Sequence, residues 1–71
     1  MSEQVTVELR LIEQTFRLNT TEDKREELER AAELLNQKFH DMRRNAPRVE
    51  HNKLVIMVAL QTILEDVEQT V

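Results

Sequence analysis

Residues 54–71 read LVIMVALQTILEDVEQTV, and this stretch decides the fold. Its apolar positions fall into two helical stripes. Ile56, Ala59 and Ile63 make one, while Met57, Leu60, Leu64, Val67 and Val71 make the other, at the 3-4-3-4 spacing of coiled-coil a and d positions. Two stripes call for two covering surfaces. Up to about Ile63 the helix is therefore expected to pack on its own domain on one side and on a partner on the other. Beyond Ile63 a single stripe survives, which a partner helix alone can cover. Ile56, Met57, Leu60, Leu64, Val67 and Val71 are the expected oligomer interface, and the heptad still runs at Val71, as at the start of a longer coil.

Upstream, Pro47 is the only proline and there is no glycine. Asn45 and Pro47 end an earlier helix. That helix carries Leu28, Ala31, Ala32, Leu35, Phe39 and Met42 at three- and four-residue steps, which places them on one face. Thr20 is its expected N-cap, with Glu22 and Asp23 complementing the helix dipole at one end and Lys38, Arg43 and Arg44 at the other. Glu26 and Arg30 have the spacing of an i,i+4 ion pair. The second helix is expected to begin between Arg48 and Lys53, with Asn52 as its cap. Before the helices, Val5, Val7, Leu9 and Leu11 alternate with Thr6, Glu8 and Arg10, and Phe16 and Leu18 with Thr15 and Arg17. Period-two patterns of this kind predict a β-hairpin, turning near Glu13-Gln14. The turn lacks the Asn-Gly chemistry that positive φ angles favour. The fold class is α+β, ββαα: a hairpin over 3–19, one helix over 20–45 and a second over 50–71 that leads into a coiled coil, within a single domain.

Seventy-one residues build one small core, and a core of this size supplies only about 3–5 kcal/mol. Small folds add disulfides, metals or partner chains. The chain has no Cys, which removes disulfides and thiolate zinc sites. His40 and His51 are not at metal-ligand spacing on one helix, so no metal and no cofactor are expected. Oligomerisation remains. No signal peptide is visible at the N-terminus. The longest apolar run, Leu54 to Leu60, falls far short of the ~20 residues that span a bilayer, so a cytoplasmic protein without membrane contact is expected.

No phosphate loop, HExxH or Cys nucleophile is present, and the adjacent carboxylates Glu26-Glu27 and Glu65-Asp66 diverge on a helix surface. Neither an enzyme nor a small-molecule substrate is indicated. A net charge of −4 also argues against nucleic acid. The charge is uneven, however. Between Lys38 and Lys53 five bases (Lys38, Arg43, Arg44, Arg48, Lys53) meet only two acids, Asp41 and Glu50. Dipole compensation accounts for Arg43 and Arg44, but not for Arg48 beyond the helix or Arg17 on the second strand. These four arginines are the candidate contact with an acidic partner.

The segments TFRLN, EDKREELERAAELLNQKFHDMRRN and LVIMVALQTILED, in this order, resemble the ZapA family, Z-ring-associated proteins of bacterial cell division. The matching elements are Phe16-Arg17-Leu18-Asn19, Ala31-Ala32-Glu33-Leu34-Leu35-Asn36 and Leu54 to Gln61, and the likeness spans nearly the whole chain. The resemblance implies a head domain that dimerises and a coiled coil that pairs dimers into antiparallel tetramers. It further implies binding to the tubulin-like protein FtsZ, cross-linking of its filaments and placement at the mid-cell division site. Basic head-domain residues are implicated in the FtsZ contact, and Arg17, Arg43 and, more loosely, Arg48 match them. Glu13 stands where the family has Gly at the turn, Gln14 where a basic residue is common, and Gln61 and Thr62 where Asn and an apolar residue are usual. A ribbon-helix-helix DNA-binding dimer shares the strand-helix-helix order. Its reading ribbon is basic, whereas these strands carry Glu8 and Glu13 beside Arg10 and Arg17.

Overall fold

The structure, a computed structural model, describes residues 3–70. Strands β1 (Gln4–Leu11) and β2 (Gln14–Thr21) form an antiparallel hairpin. A 3-10 turn (Glu22–Lys24) leads into helix α1 (Arg25–Asn45), and a short connection leads into helix α2 (His51–Thr70). This is the ββαα order read from the sequence. The chain divides between Gln37 and Lys38 into two compact units, so α1 contributes its first half to one and its last turns to the other.

In the first unit the alternation of β1 sets the packing. Val7 and Leu9 are buried together with Ala32 of α1, and Val5, Leu11 and Leu28 pack around them. On β2, Phe16 lies opposite Leu9 and Leu18 opposite Val7, so they share the apolar face. They nevertheless remain 42% and 39% exposed. An apolar groove of about 170 Å³ runs beside Leu18, walled by Leu9, Leu11, Leu28, Ala31 and Leu35.

The turn falls one residue earlier than the sequence suggests. Leu11 pairs with Gln14, leaving Ile12 and Glu13 as a two-residue loop with φ values of 51° and 68°. Positive φ at both central positions is the type I′ signature, which suits the strands' twist but penalises side chains with a Cβ. The β-branched Ile12 is an especially poor occupant. Asn36 of α1 compensates: its amide nitrogen donates to the Arg10 carbonyl at 2.7 Å, and its oxygen accepts from the Ile12 amide at 2.8 Å. Glu13→Gly relieves a left-handed strain of about 1–2 kcal/mol and adds back part of that as unfolded-state entropy. The variant is expected to gain about 0.5–1 kcal/mol in urea unfolding. A loss of stability would contradict the strained-turn account.

Thr20 does not cap α1. Thr20 and Thr21 are strand residues paired with Val5 and Gln4, and the Glu22 amide extends the ladder by donating to the Glu3 carbonyl at 3.0 Å. The amide at the expected helix start is thereby engaged in the sheet, and β-branched threonines suit a strand. Thr21, which precedes the 3-10 turn, makes no side-chain cap bond. Arg30 pairs with Glu33 at 3.5 Å, one residue nearer than the separation read from the sequence.

In the second unit, α1 ends at Asn45 as Pro47 requires. Asn52 is not a cap either, because α2 starts at His51 and the Leu54 amide bonds the Glu50 carbonyl at 2.9 Å. Leu54 and Val58 are the buried residues of α2, at 0% and 1% exposure, and Phe39 is buried on α1. Further along α2, Glu65 accepts from Lys38 of α1 at 2.7 Å. The Thr62 hydroxyl bonds the Val58 carbonyl at 2.9 Å, which satisfies a polar group at a position where an apolar residue is usual in the resembled family.

Candidate functional site

At about 100° per residue, Leu54, Val58 and Glu65 lie on one line of α2. Ile56, Leu60, Ile63 and Val67 lie on the line diametrically opposite. Ile56, Leu60 and Ile63 expose 66, 67 and 63% of their surface, and Met57, Leu64 and Val67 are also exposed. The two stripes of the sequence are therefore flanks of one broad outer band. The helix meets its own unit through a third line, Leu54 and Val58, which the heptad reading passed over. Five members of the expected interface, Ile56, Met57, Leu60, Leu64 and Val67, lie in the band; Val71 lies outside the described residues. An apolar band this continuous on a folded surface marks an interaction site.

The four candidate arginines have unlike surroundings. Arg43 is half-buried and shapes the connection between the helices. Its guanidinium donates to the Pro47 carbonyl at 3.4 Å and to the Val49 carbonyl, and lies 5.8 Å from the centre of the Phe39 ring. The His51 ring meets the same Phe39 at a centroid distance of 5.5 Å. The exposed Arg44 is bound to Asp41 at 2.6 Å, one turn back on α1. Arg48, in the connection, is exposed and has no ion-pair or hydrogen-bond partner among the described residues. Arg17, in the other unit, stands on the wet face of β2, 3.4 Å from Glu8 directly across the strands. Arg17 and Arg44 thus each share their charge with a surface carboxylate, Arg48 has no such partner among the described residues, and Arg43 has a structural task.

A cleft of about 390 Å³ opens in the second unit beside Lys38, Asp41, Met42, Asn45, Met57 and Gln61. Its mixed lining contains no nucleophile-base pair. Among the described residues no three His, Asp or Glu side chains cluster to hold a metal, and no helix is long and apolar enough to cross a membrane.

The sequence profile of the family described as cell division protein ZapA matches residues 7–70, from the first buried strand residue to the end of α2. The chain belongs to the ZapA family. No individual curated protein matches it significantly. ZapA proteins are non-enzymatic, Z-ring-associated adaptors of cell division. The family match ends at Thr70, so the outer band of α2 lies wholly within the ZapA-like region. Sequence reasoning missed Asn36 as a structural residue, although it stands in the ZapA-like segment Ala31–Asn36. An Asn beside the apolar face of an otherwise charged helix was the available signal.

Proposed function

We propose that this chain binds FtsZ filaments in the cytoplasm at the mid-cell division site, cross-links them and promotes assembly of the Z-ring. The outer apolar band of α2 is the observation that carries the reading. A band that large, opposite the helix's own buried face, is suited to another copy of the same helix. A symmetric dimer, or a tetramer made of two dimers, then presents each filament-binding face at least twice. Repetition of a weak contact is what a cross-linker needs, because the second engagement is effectively intramolecular.

Filament contact is assigned to the accessible arginines Arg17, Arg44 and Arg48. Arg43 supports that contact by bonding the backbone on both sides of Arg48. Charge complementarity with an acidic filament accelerates encounter and weakens with salt. The triple variant Arg17→Glu, Arg44→Glu, Arg48→Glu is expected to lose at least about tenfold in co-sedimentation with FtsZ polymers. Its oligomeric mass should remain that of the parent, since none of the three lies on the band. Normal bundling by the triple variant would remove the arginines from the site. Arg43 is left intact in this test, because its reversal would break the connection and confuse misfolding with lost binding.

A further inference from the structure

The alternation of a strand sorts the side chains of the hairpin onto two faces. Opposite the apolar face, the wet face carries the cross-strand pairs Gln4–Thr21, Thr6–Asn19, Glu8–Arg17 and Arg10–Thr15. These pairs are not equally engaged. Toward the open end, the Thr6 hydroxyl donates to the Asn19 side-chain oxygen at 3.0 Å, so the two satisfy each other. In the middle, Glu8 lies 3.4 Å from the Arg17 Nε, and the Arg17 guanidinium makes no hydrogen bond among the described residues. Arg44 on α1 shows the contrast, because it donates to Asp41 at 2.6 Å. Nearest the turn, neither the Arg10 guanidinium nor the Thr15 hydroxyl has a hydrogen bond or ion pair among the described residues, and both residues are exposed.

Thr15 lies directly across from Arg10 and two residues before Arg17 on the same face. Directly opposed residues have Cβ atoms about 4.5–5.5 Å apart, and a diagonal pair such as Arg10 and Arg17 stands about 7–8 Å apart, within reach of long side chains. A carboxylate between them meets two planar forks and a hydroxyl. Arginine forks match the geometry of a carboxylate, which accepts two parallel bonds from each. This end of the face is also the end clamped to α1, since the Arg10 carbonyl accepts from Asn36 at 2.7 Å. The chain as a whole is acidic, yet on this face two arginines meet one acid, Glu8. Glu13 sits in the loop beyond the last pair of the ladder.

We propose that Arg10, Thr15 and Arg17 together receive a carboxylate from an acidic segment of the filament, and that Glu8 gives up Arg17 when it arrives. The inference rests on the FtsZ reading and extends it to Arg10 and Thr15, which that reading leaves out. Arg10 offers a fork that nothing engages beforehand. The Thr15 hydroxyl donates between the two arginines. Glu8 is a competitor that acts through Arg17, holding it loosely enough to be displaced.

Co-sedimentation of the full chain with FtsZ polymers tests the site. Arg10→Gln is expected to weaken binding about fivefold, and Thr15→Val, which keeps the β-branch but removes the hydroxyl, about threefold. Arg10→Lys keeps the charge without the fork and should recover only part of the loss. Glu8→Gln frees Arg17 and should tighten binding about threefold. In an Arg17→Gln background the same change should have no effect, because the two residues act as one unit. Arg30→Gln removes an equal charge from α1, where Arg30 pairs with Glu33, and should bind like the parent. Arg10 and Thr15 are exposed, so urea midpoints of their variants should match the parent's. Parental binding by Arg10→Gln, beside a loss in the triple variant of Arg17, Arg44 and Arg48, would overturn this site and leave the filament reading standing. Parental binding by both would overturn the two together. An equal loss in Arg30→Gln would reduce the effect to net charge and refute the site. Weaker binding by Glu8→Gln would refute its displacement.

Discussion

Leu54→Ala is expected to unfold most of this protein at room temperature. Leu54 is fully buried, and truncations of such leucines cost about 2–5 kcal/mol through lost transfer energy and the cavity left behind. A core of this size supplies about 3–5 kcal/mol in all, so one cavity offsets nearly the whole. The paired expectation concerns Leu60, six residues further along α2 on the outer band. Leu60→Glu adds no cavity and should leave secondary structure at high protein concentration largely intact, but it places charge in the contact with a second copy. Sedimentation over a concentration series would show the parent associating and the Leu60 variant losing the association made through α2. Urea titration would show Leu54→Ala with a lowered midpoint at every concentration. If Leu54→Ala costs less than about 1 kcal/mol, or if Leu60→Glu associates like the parent, the division of α2 into an inner and an outer face is wrong.

That division marks what was legible in the sequence. Periodicity identified both helices and both strands, because each repeats its apolar residues often enough to separate period two from period 3.6. It did not identify which side of α2 turns inward. Leu54 to Leu60 is apolar nearly all round, so any line along it reads as a stripe, and the heptad favoured the line that continues furthest. Lys38 and Glu65 carried the missing information: their ion pair fixes the face of α2 turned toward the end of α1, and no periodicity shows a pairing between separate helices. The start of α1 was misplaced for a related reason. Thr20 and Thr21 make good caps in isolation and good strand residues in a ladder, and the bond between Glu22 and Glu3 decided for the ladder. Among the four arginines the sequence distinguished charge but not employment. Only the backbone around Pro47 and Val49 shows that Arg43 is engaged, while Arg48 has no partner among the described residues.

The largest effect expected in the first unit belongs to Asn36. Its side chain makes two backbone bonds across a sequence separation of 24 and 26 residues and holds the hairpin tip to α1. Asn36→Ala removes both and is expected to cost about 2 kcal/mol, from two bonds worth about 0.5–1.5 kcal/mol each. Asn36→Asp keeps an acceptor for the Ile12 amide but sets a carboxylate against the Arg10 carbonyl, and should recover little. The decisive measurement is a double-mutant cycle with Glu13→Gly. If Asn36 stabilises the turn by holding two residues at positive φ, a relaxed turn needs it less. The Asn36→Ala penalty should then fall by about 0.5–1 kcal/mol in the glycine background. Simple additivity would mean that Asn36 joins helix to sheet without supporting the turn geometry. Loss of the clamp should also free the tip of β2, so amide protection at Phe16, which pairs with Leu9 beside the turn, should disappear before protection at Val7. The same asparagine that lets this chain turn without glycine would thereby hold in place the strand that carries Arg17.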